Sequence, residues 1–201
     1  MRRQEFLNQQ YLPNSNWLKT YYFLRAGFSS VWIALAILVG QTVSPIAAAL
    51  LIVYPAWDAI ANYVDAQKNG GIPFNFSQAL NFWISLIAAA SVALALFVGM
   101  KQVLTIFGIW AILAGAFQLI TAVRRWKAHG AQWVMIVSGG QSVLGASHFF
   151  TKATEVPLPG IGAVVPYACL GALYFFLSAI WLVLSDARRR STDTTRSRGC
   201  R

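Results

Sequence analysis

Asp58, Asn62 and Asp65 stand four and three positions apart inside an otherwise apolar run, a spacing that puts all three on one face of a helix. An ionisable group within a membrane-crossing segment costs roughly 2.5–3.5 kcal/mol at the centre on insertion scales, so it marks either a locked ion pair or a path for ions. Arg25, in the preceding apolar run, is the matching charge. At 1.5 Å per residue Arg25 lies roughly 8–9 Å and Asp58 about 10 Å inside the same end of their helices, so the two are placed to meet. Asn81, Gln118, Ser138, Gln141 and Ser142 add polar groups to that half, where they are expected to line a vestibule open to the cytoplasm. Pro55 removes the donor for the carbonyl near Leu51 and kinks the helix one turn before Asp58, as helices lining transporter cavities often are. A buried pair also serves as a lock between helices, with Asn and Gln as interhelical glue worth roughly 0.6–2 kcal/mol each.

His148 closes another apolar run, ahead of Lys152 and Glu155, and is the candidate pH sensor on the outer side, because an imidazole titrates at about 6.5. Its other reading is an interfacial histidine satisfied by water. His129 sits near Lys127 in a basic loop and reads as a solvated residue. With these two histidines on opposite sides of the membrane, no group has metal-ligand spacing. Cys169 in an apolar run and Cys200 in a basic tail point to neither a disulfide nor a metal site. There is no nucleophile elbow and no GxxxxGK, and Gly160-Ile161-Gly162 lacks the third glycine and preceding strand of a dinucleotide site. The expectation is a non-enzymatic protein without cofactor or metal.

The elements that hold these residues follow from composition. Of 201 residues, 57% are hydrophobic and 11% charged, against roughly 45–50% and 25% in soluble domains. That balance excludes a soluble enzyme, a disordered chain, collagen and a disulfide scaffold. Crossing a hydrocarbon core takes about 20 apolar residues, and six runs qualify: Thr20 to Val39, Val43 to Val64, Gln78 to Val98, Gln102 to Val123, Gln132 to Thr151 and Ile161 to Ser185. The expected fold is an all-α integral membrane protein with six transmembrane helices. They pair as three antiparallel hairpins, 20–64, 78–123 and 132–185, between an N-terminal segment 1–19 and a basic tail 186–201 expected to be disordered. Links as short as Gly40 to Thr42 imply tight hairpins. Gly40 and Gln41 follow the first run where a signal peptide would carry small residues for cleavage, so that run reads as a retained helix.

Charge sets the orientation. Net charge is +10 from 16 Lys plus Arg and 6 Asp plus Glu, yet no basic stripe is interleaved with stacking aromatics, so nucleic acid is not an expected partner. The cations gather where apolar runs end. Assigning each to a side leaves only Lys101 and Lys152 opposite all the rest, so both termini are expected in the cytoplasm. The partners that follow are the lipid bilayer itself and anionic lipids at the basic cytoplasmic loops. Small residues four apart, such as Ala111 with Gly115 and Ser138 with Ser142, suit bundle packing and leave a homo-oligomer open. Trp17, Tyr21, Tyr22, Trp83, Trp126 and Trp133 read as an interfacial aromatic belt.

The hairpins also align with one another: Ser30-Val31-Trp32 with Ser91-Val92-Ala93 and Ser142-Val143-Leu144, Trp57-Asp58 with Phe117-Gln118, and Gly108 with Gly171. Gly108-Ile109-Trp110 through Gly115-Ala116-Phe117-Gln118-Leu119, then Arg124-Arg125, and Gly130 to Trp133 leading into Ser138-Gly139-Gly140-Gln141-Ser142-Val143-Leu144-Gly145, resemble the repeat of HdeD-type acid-resistance membrane proteins. The resemblance covers hairpins two and three best. It implies six helices in the bacterial inner membrane and an association with acid stress, and it brings no catalytic or transport residues with it. Two functions are therefore expected as alternatives. One is a scaffold in the bacterial inner membrane contributing to acid or envelope stress tolerance. The other is a small proton- or cation-coupled transporter or channel using Asp58 and Arg25, with Asn62 and Gln118 completing the path.

Overall fold

A computed structural model describes residues 15–39, 44–124 and 132–198. Six α-helices account for nearly all of it: α1 Ser15–Val39, α2 Pro45–Lys68, α3 Phe76–Ala95, α4 Met100–Arg124, α5 Gln132–Lys152 and α6 Val165–Arg198. Short 3-10 turns, Ile72–Phe74 and Ile161–Val164, precede α3 and α6. The segment 1–14 with Arg2 and Arg3, the link 40–43, the loop 125–131 with Trp126, Lys127 and His129, and Cys200 lie outside the described residues.

Local chemistry fixes the helix ends. Ser44 caps α2 by accepting from the Ala47 amide at 3.2 Å, with Pro45 at the first helical position, where its missing N–H is no loss. Gly70 and Gly71 adopt φ of 98° and 96° after Lys68, a turn that side chains with a Cβ resist. Asn75 ties this turn together, donating to the carbonyls of Asn69 at 2.8 Å and Gly71 at 2.9 Å.

Among the described residues five helices are long and apolar enough to cross a membrane, and the chain is a multi-pass membrane protein. Its surface agrees: Leu38 is 81% and Phe97 91% exposed, while Ser85 and Ser178 are fully buried, an inversion expected where lipid replaces water. The helix α5, expected as a sixth span, has the length but is not among the five. Ser138, Gln141, Ser142 and His148 lower its mean hydropathy, and all four line a cavity of the bundle.

Several boundaries differ from expectation, among them the end of α2 at Lys68 rather than Val64 and the start of α6 at Val165 rather than Ile161. The first helix begins at Ser15 rather than Thr20. The third stops at Ala95 rather than Val98, because Phe97 and Val98 bond back three residues, to Leu94 and Ala95, and lead into Gly99 at φ 143°. The last continues to Arg198 through the stretch expected to be a disordered tail.

Packing also corrects the expectation of a tight hairpin at the first short link, while α3 and α4, joined by the other, are in close contact. The densest contacts join α4 to α5, α2 to α3 and α1 to α6, whereas α1 and α2, joined by one of the shortest links, touch sparsely. Side-chain size is the reason. At Gly115 an added Cβ would sit 2.7 Å from the Gly139 carbonyl, so α4 and α5 meet backbone to backbone. Between α1 and α2 lie large groups instead: the Phe28 ring stacks on Trp57 at 4.4 Å, and Trp32 meets Tyr54 at 4.7 Å. The Trp32 indole also donates to the Leu50 carbonyl at 2.8 Å, beside the Leu51 carbonyl deprived of its partner by Pro55. The aromatic belt is corrected as well. Trp83 and Trp133 are exposed, but Tyr21 and Tyr22 are buried in the bundle and Trp17 bonds to Asp65.

Candidate functional site

The spacing of Asp58 and Asn62 on α2, and the depth of Arg25 on α1, bring the three together. Arg25 Nη2 forms an ion pair with Asp58 Oδ1. Asn62 Nδ2 donates to Asp58 Oδ2 at 3.0 Å and to the Asp58 carbonyl at 2.8 Å. From α3 the Ser85 hydroxyl donates to Asp58 Oδ2 at 2.7 Å, and from α4 the Trp110 indole donates to Ser85 Oγ at 3.0 Å. Asp58 thus collects donors from α1, α2 and α3, with α4 behind Ser85. On the other side of the guanidinium, Nη1 donates to the Tyr21 hydroxyl at 2.9 Å, and the Phe175 ring of α6 lies 4.2 Å from Arg25 Cζ. One ion pair is therefore held by five of the six helices.

Ser85 carries two partners, so its loss should strand both. Ser85→Ala leaves Trp110 Nε1 without an acceptor and Asp58 Oδ2 with one donor fewer, and should destabilise the bundle by about 1–3 kcal/mol. Equilibrium denaturation in detergent measures this, with Ser147→Ala, whose exposed hydroxyl bonds within its own helix at 2.7 Å, expected to change little.

Asp65 lies on the same face of α2 as expected but belongs to a second centre. It accepts from Trp17 Nε1 at 3.1 Å, Asn69 Nδ2 at 2.8 Å and Gln78 Nε2 at 3.3 Å, tying α1, α2 and α3 near the end of the bundle that holds Lys68. Lys68 Nζ lies 5.7 Å from the centre of the Trp17 ring. Across the same end, Lys19 pairs with Asp186 of α6.

Two cavities adjoin at the pair. The smaller, about 70 Å³, is lined by Asn62, Asp65, Gln78, Asn81 and Thr121 among others. The larger, about 230 Å³, lies between α1, α2, α4, α5 and α6. Arg25, Asp58, Ala114, Gln118 and Phe175 belong to both walls. The polar residues expected to share one vestibule are spread over these two adjoining cavities. Asn81 faces the smaller; Ser138, Gln141 and Ser142 face the larger; and Gln118 lines both, donating to the Met135 carbonyl at 3.4 Å rather than reaching Asp58.

His148 is also moved from its expected place. It lines the larger cavity, half-buried, with Nε2 at 3.0 Å from the Ala163 carbonyl of the turn before α6. It is thus part of the chamber wall as well as partly exposed. Among the described residues, no group of three or more His, Cys, Asp or Glu is placed to hold a metal ion.

Sequence reasoning missed the walls. Tyr54, Trp110 and Tyr167 all line the larger cavity and meet at steep angles, Tyr54 to Trp110 at 5.9 Å and 86°, and Trp110 to Tyr167 at 6.1 Å and 62°. The missed Ser85 had a signal: with Gln78 and Asn81 it completes a polar stripe three and four residues apart on α3. The convergence of aromatics from three helices left no such trace. No family model, no curated protein and no solved structure matches this chain.

Proposed function

We propose that the chain is a small proton- or cation-coupled carrier of the bacterial cytoplasmic membrane, crossing it six times with both termini inside, whose path passes the Arg25–Asp58 pair. The observation that carries this reading is a buried ion pair that forms part of the walls of two adjoining, partly polar cavities. A pair serving only as a lock is best kept in dry, close-packed surroundings, where nothing weakens its attraction. Polar-lined space beside it is instead what a group that exchanges partners needs.

Three further features support it. The polar stripe of α5 makes that helix a poor span by composition alone, yet the stripe faces the chamber and not the lipid, as in a helix that lines a path. Pro55 stands inside α2 three residues before Asp58, where it removes one helical hydrogen bond, next to Tyr54 on the chamber wall. The segregation of Lys and Arg supports the cytoplasmic placement of the termini. The resemblance of the 108–145 region to the HdeD repeat supports a bacterial inner membrane and a part in acid tolerance.

One observation favours the scaffold as a second reading: Asp58 accepts from Arg25, Asn62 and Ser85, a saturated arrangement suited to a lock. Proton flux separates the two. In proteoliposomes holding a pH-sensitive dye, the wild type should dissipate an imposed gradient at least tenfold faster than empty vesicles, and the charge-balanced Arg25→Gln/Asp58→Asn protein should fall to the empty-vesicle rate. Wild-type vesicles as tight as empty ones would remove proton coupling and leave the scaffold.

A further inference from the structure

We infer that the larger cavity binds a small zwitterion of the betaine type, its quaternary ammonium among Tyr54, Trp110 and Tyr167 and its carboxylate on the unpaired N–H groups of Arg25 and Trp57. The inference rests on reading this chamber as the solute site of the carrier, and it names the class of solute.

Size comes first. At roughly 30 Å³ per water the chamber, of about 230 Å³, has room for about eight waters. That suits a compact solute and is smaller than the roughly 300–1,000 Å³ of sites for drug-sized ligands.

The walls supply two unlike recognition elements. Tyr54, Trp110 and Tyr167 line the chamber side by side, one ring from each of α2, α4 and α6, with Trp110 meeting Tyr54 at 86° and Tyr167 at 62°. Aromatic faces carry negative charge density, and clusters of aromatic rings recognise quaternary ammonium groups. Arg25 Nε and Trp57 Nε1 are buried donors with no partner among the described residues, and both residues line the same chamber. Buried donors left unmet cost about 1–3 kcal/mol each, and a ligand that offers acceptor oxygens removes that cost.

Charge balance then excludes the simpler ions. Besides His148, Arg25 and Asp58 are the ionisable lining residues apart from the tyrosines, and paired they sum to zero. A lone cation fits the aromatic rings but faces Arg25 and leaves both donors unmet. A lone anion satisfies the donors but faces Asp58 and the negative ring faces. A zwitterion satisfies rings and donors together and keeps the chamber neutral, so the buried pair need not be broken to admit it.

Equilibrium dialysis of the purified, detergent-solubilised full chain against radiolabelled trimethylglycine tests this, with tetramethylammonium and acetate as competitors. Expected are saturable binding of trimethylglycine, competitors at least tenfold weaker, and at least tenfold weaker binding to Tyr167→Leu at an unchanged melting temperature. If Tyr167→Leu is unstable, Trp57→Phe, which removes one of the two donors, should weaken trimethylglycine and leave tetramethylammonium unchanged. Tetramethylammonium competing as well as trimethylglycine would overturn the inference in favour of a simple cation site, and no saturable binding would overturn it outright. Binding without proton flux would uphold the ligand class and sink the coupled carrier; proton flux without binding would do the reverse.

Discussion

Arg25→Gln alone should lower the stability of the bundle by about 3–5 kcal/mol, and adding Asp58→Asn should restore most of it. The single change leaves a buried carboxylate with Ser85 and Asn62 but without its counter-charge. Desolvation of an uncompensated charge dominates the loss, because the pair in its folded place contributes far less than either half costs when alone. The double change removes both charges and leaves an amide at each position, so the pair's coupling energy appears as non-additivity. Denaturant titration in detergent of the wild type, both single variants and the double variant gives the cycle. Simple addition of the two single effects would show that the charges do not depend on one another. A folded double variant also serves function, since any flux it loses cannot be assigned to unfolding.

Gly115→Leu should be the second large effect, destabilising by about 3 kcal/mol. A Cβ at position 115 would sit 2.7 Å from the Gly139 carbonyl and 2.8 Å from Ser142 Cβ, and one at Gly139 would meet the Gly115 carbonyl at 2.9 Å. The obstacle on each side is backbone, which has no rotamer to move out of the way, so α4 and α5 must separate along their length. Ser142 sits beside this crossing and on the chamber wall, so separation should also open the chamber. Gly140→Ala is the control. Nothing lies within 4 Å of its Cβ position, and the change should be neutral or gain up to about 1 kcal/mol from helix propensity. Thermal melts of the three proteins order them, and a Gly115→Leu melt equal to wild type would contradict the close crossing.

The helical plan was legible because bilayer thickness demands long apolar runs, and the meeting of Arg25 with Asp58 was legible because both sit at one depth in consecutive runs. The division of Asp58 from Asp65 was not. A seven-residue spacing gives a common face of α2 but not which partners approach it, and here Ser85 from α3 takes one carboxylate while Trp17 and Gln78 take the other. Hairpin packing was misread for a related reason. A short link fixes neighbours in the chain, while closeness depends on side-chain bulk, small at Gly115 and Gly139 and large at Trp32, Tyr54 and Trp57. Periodicity placed His148 at a helix end but could not turn it inward, because the Ala163 carbonyl that receives it comes from a loop fifteen residues away.

The claim at the centre is that one ion pair separates two chambers reached from opposite faces of the membrane. Substituted-cysteine labelling tests it most directly. In a background with Cys169 and Cys200 replaced by Ser, Thr121→Cys stands on the smaller chamber and Ser142→Cys on the larger. A membrane-impermeant thiol reagent added on the side of the termini should modify Thr121→Cys and spare Ser142→Cys, and the same reagent added on the opposite side should do the reverse. Modification of both from one side, or of neither from either side, would contradict a path closed at Arg25 and Asp58.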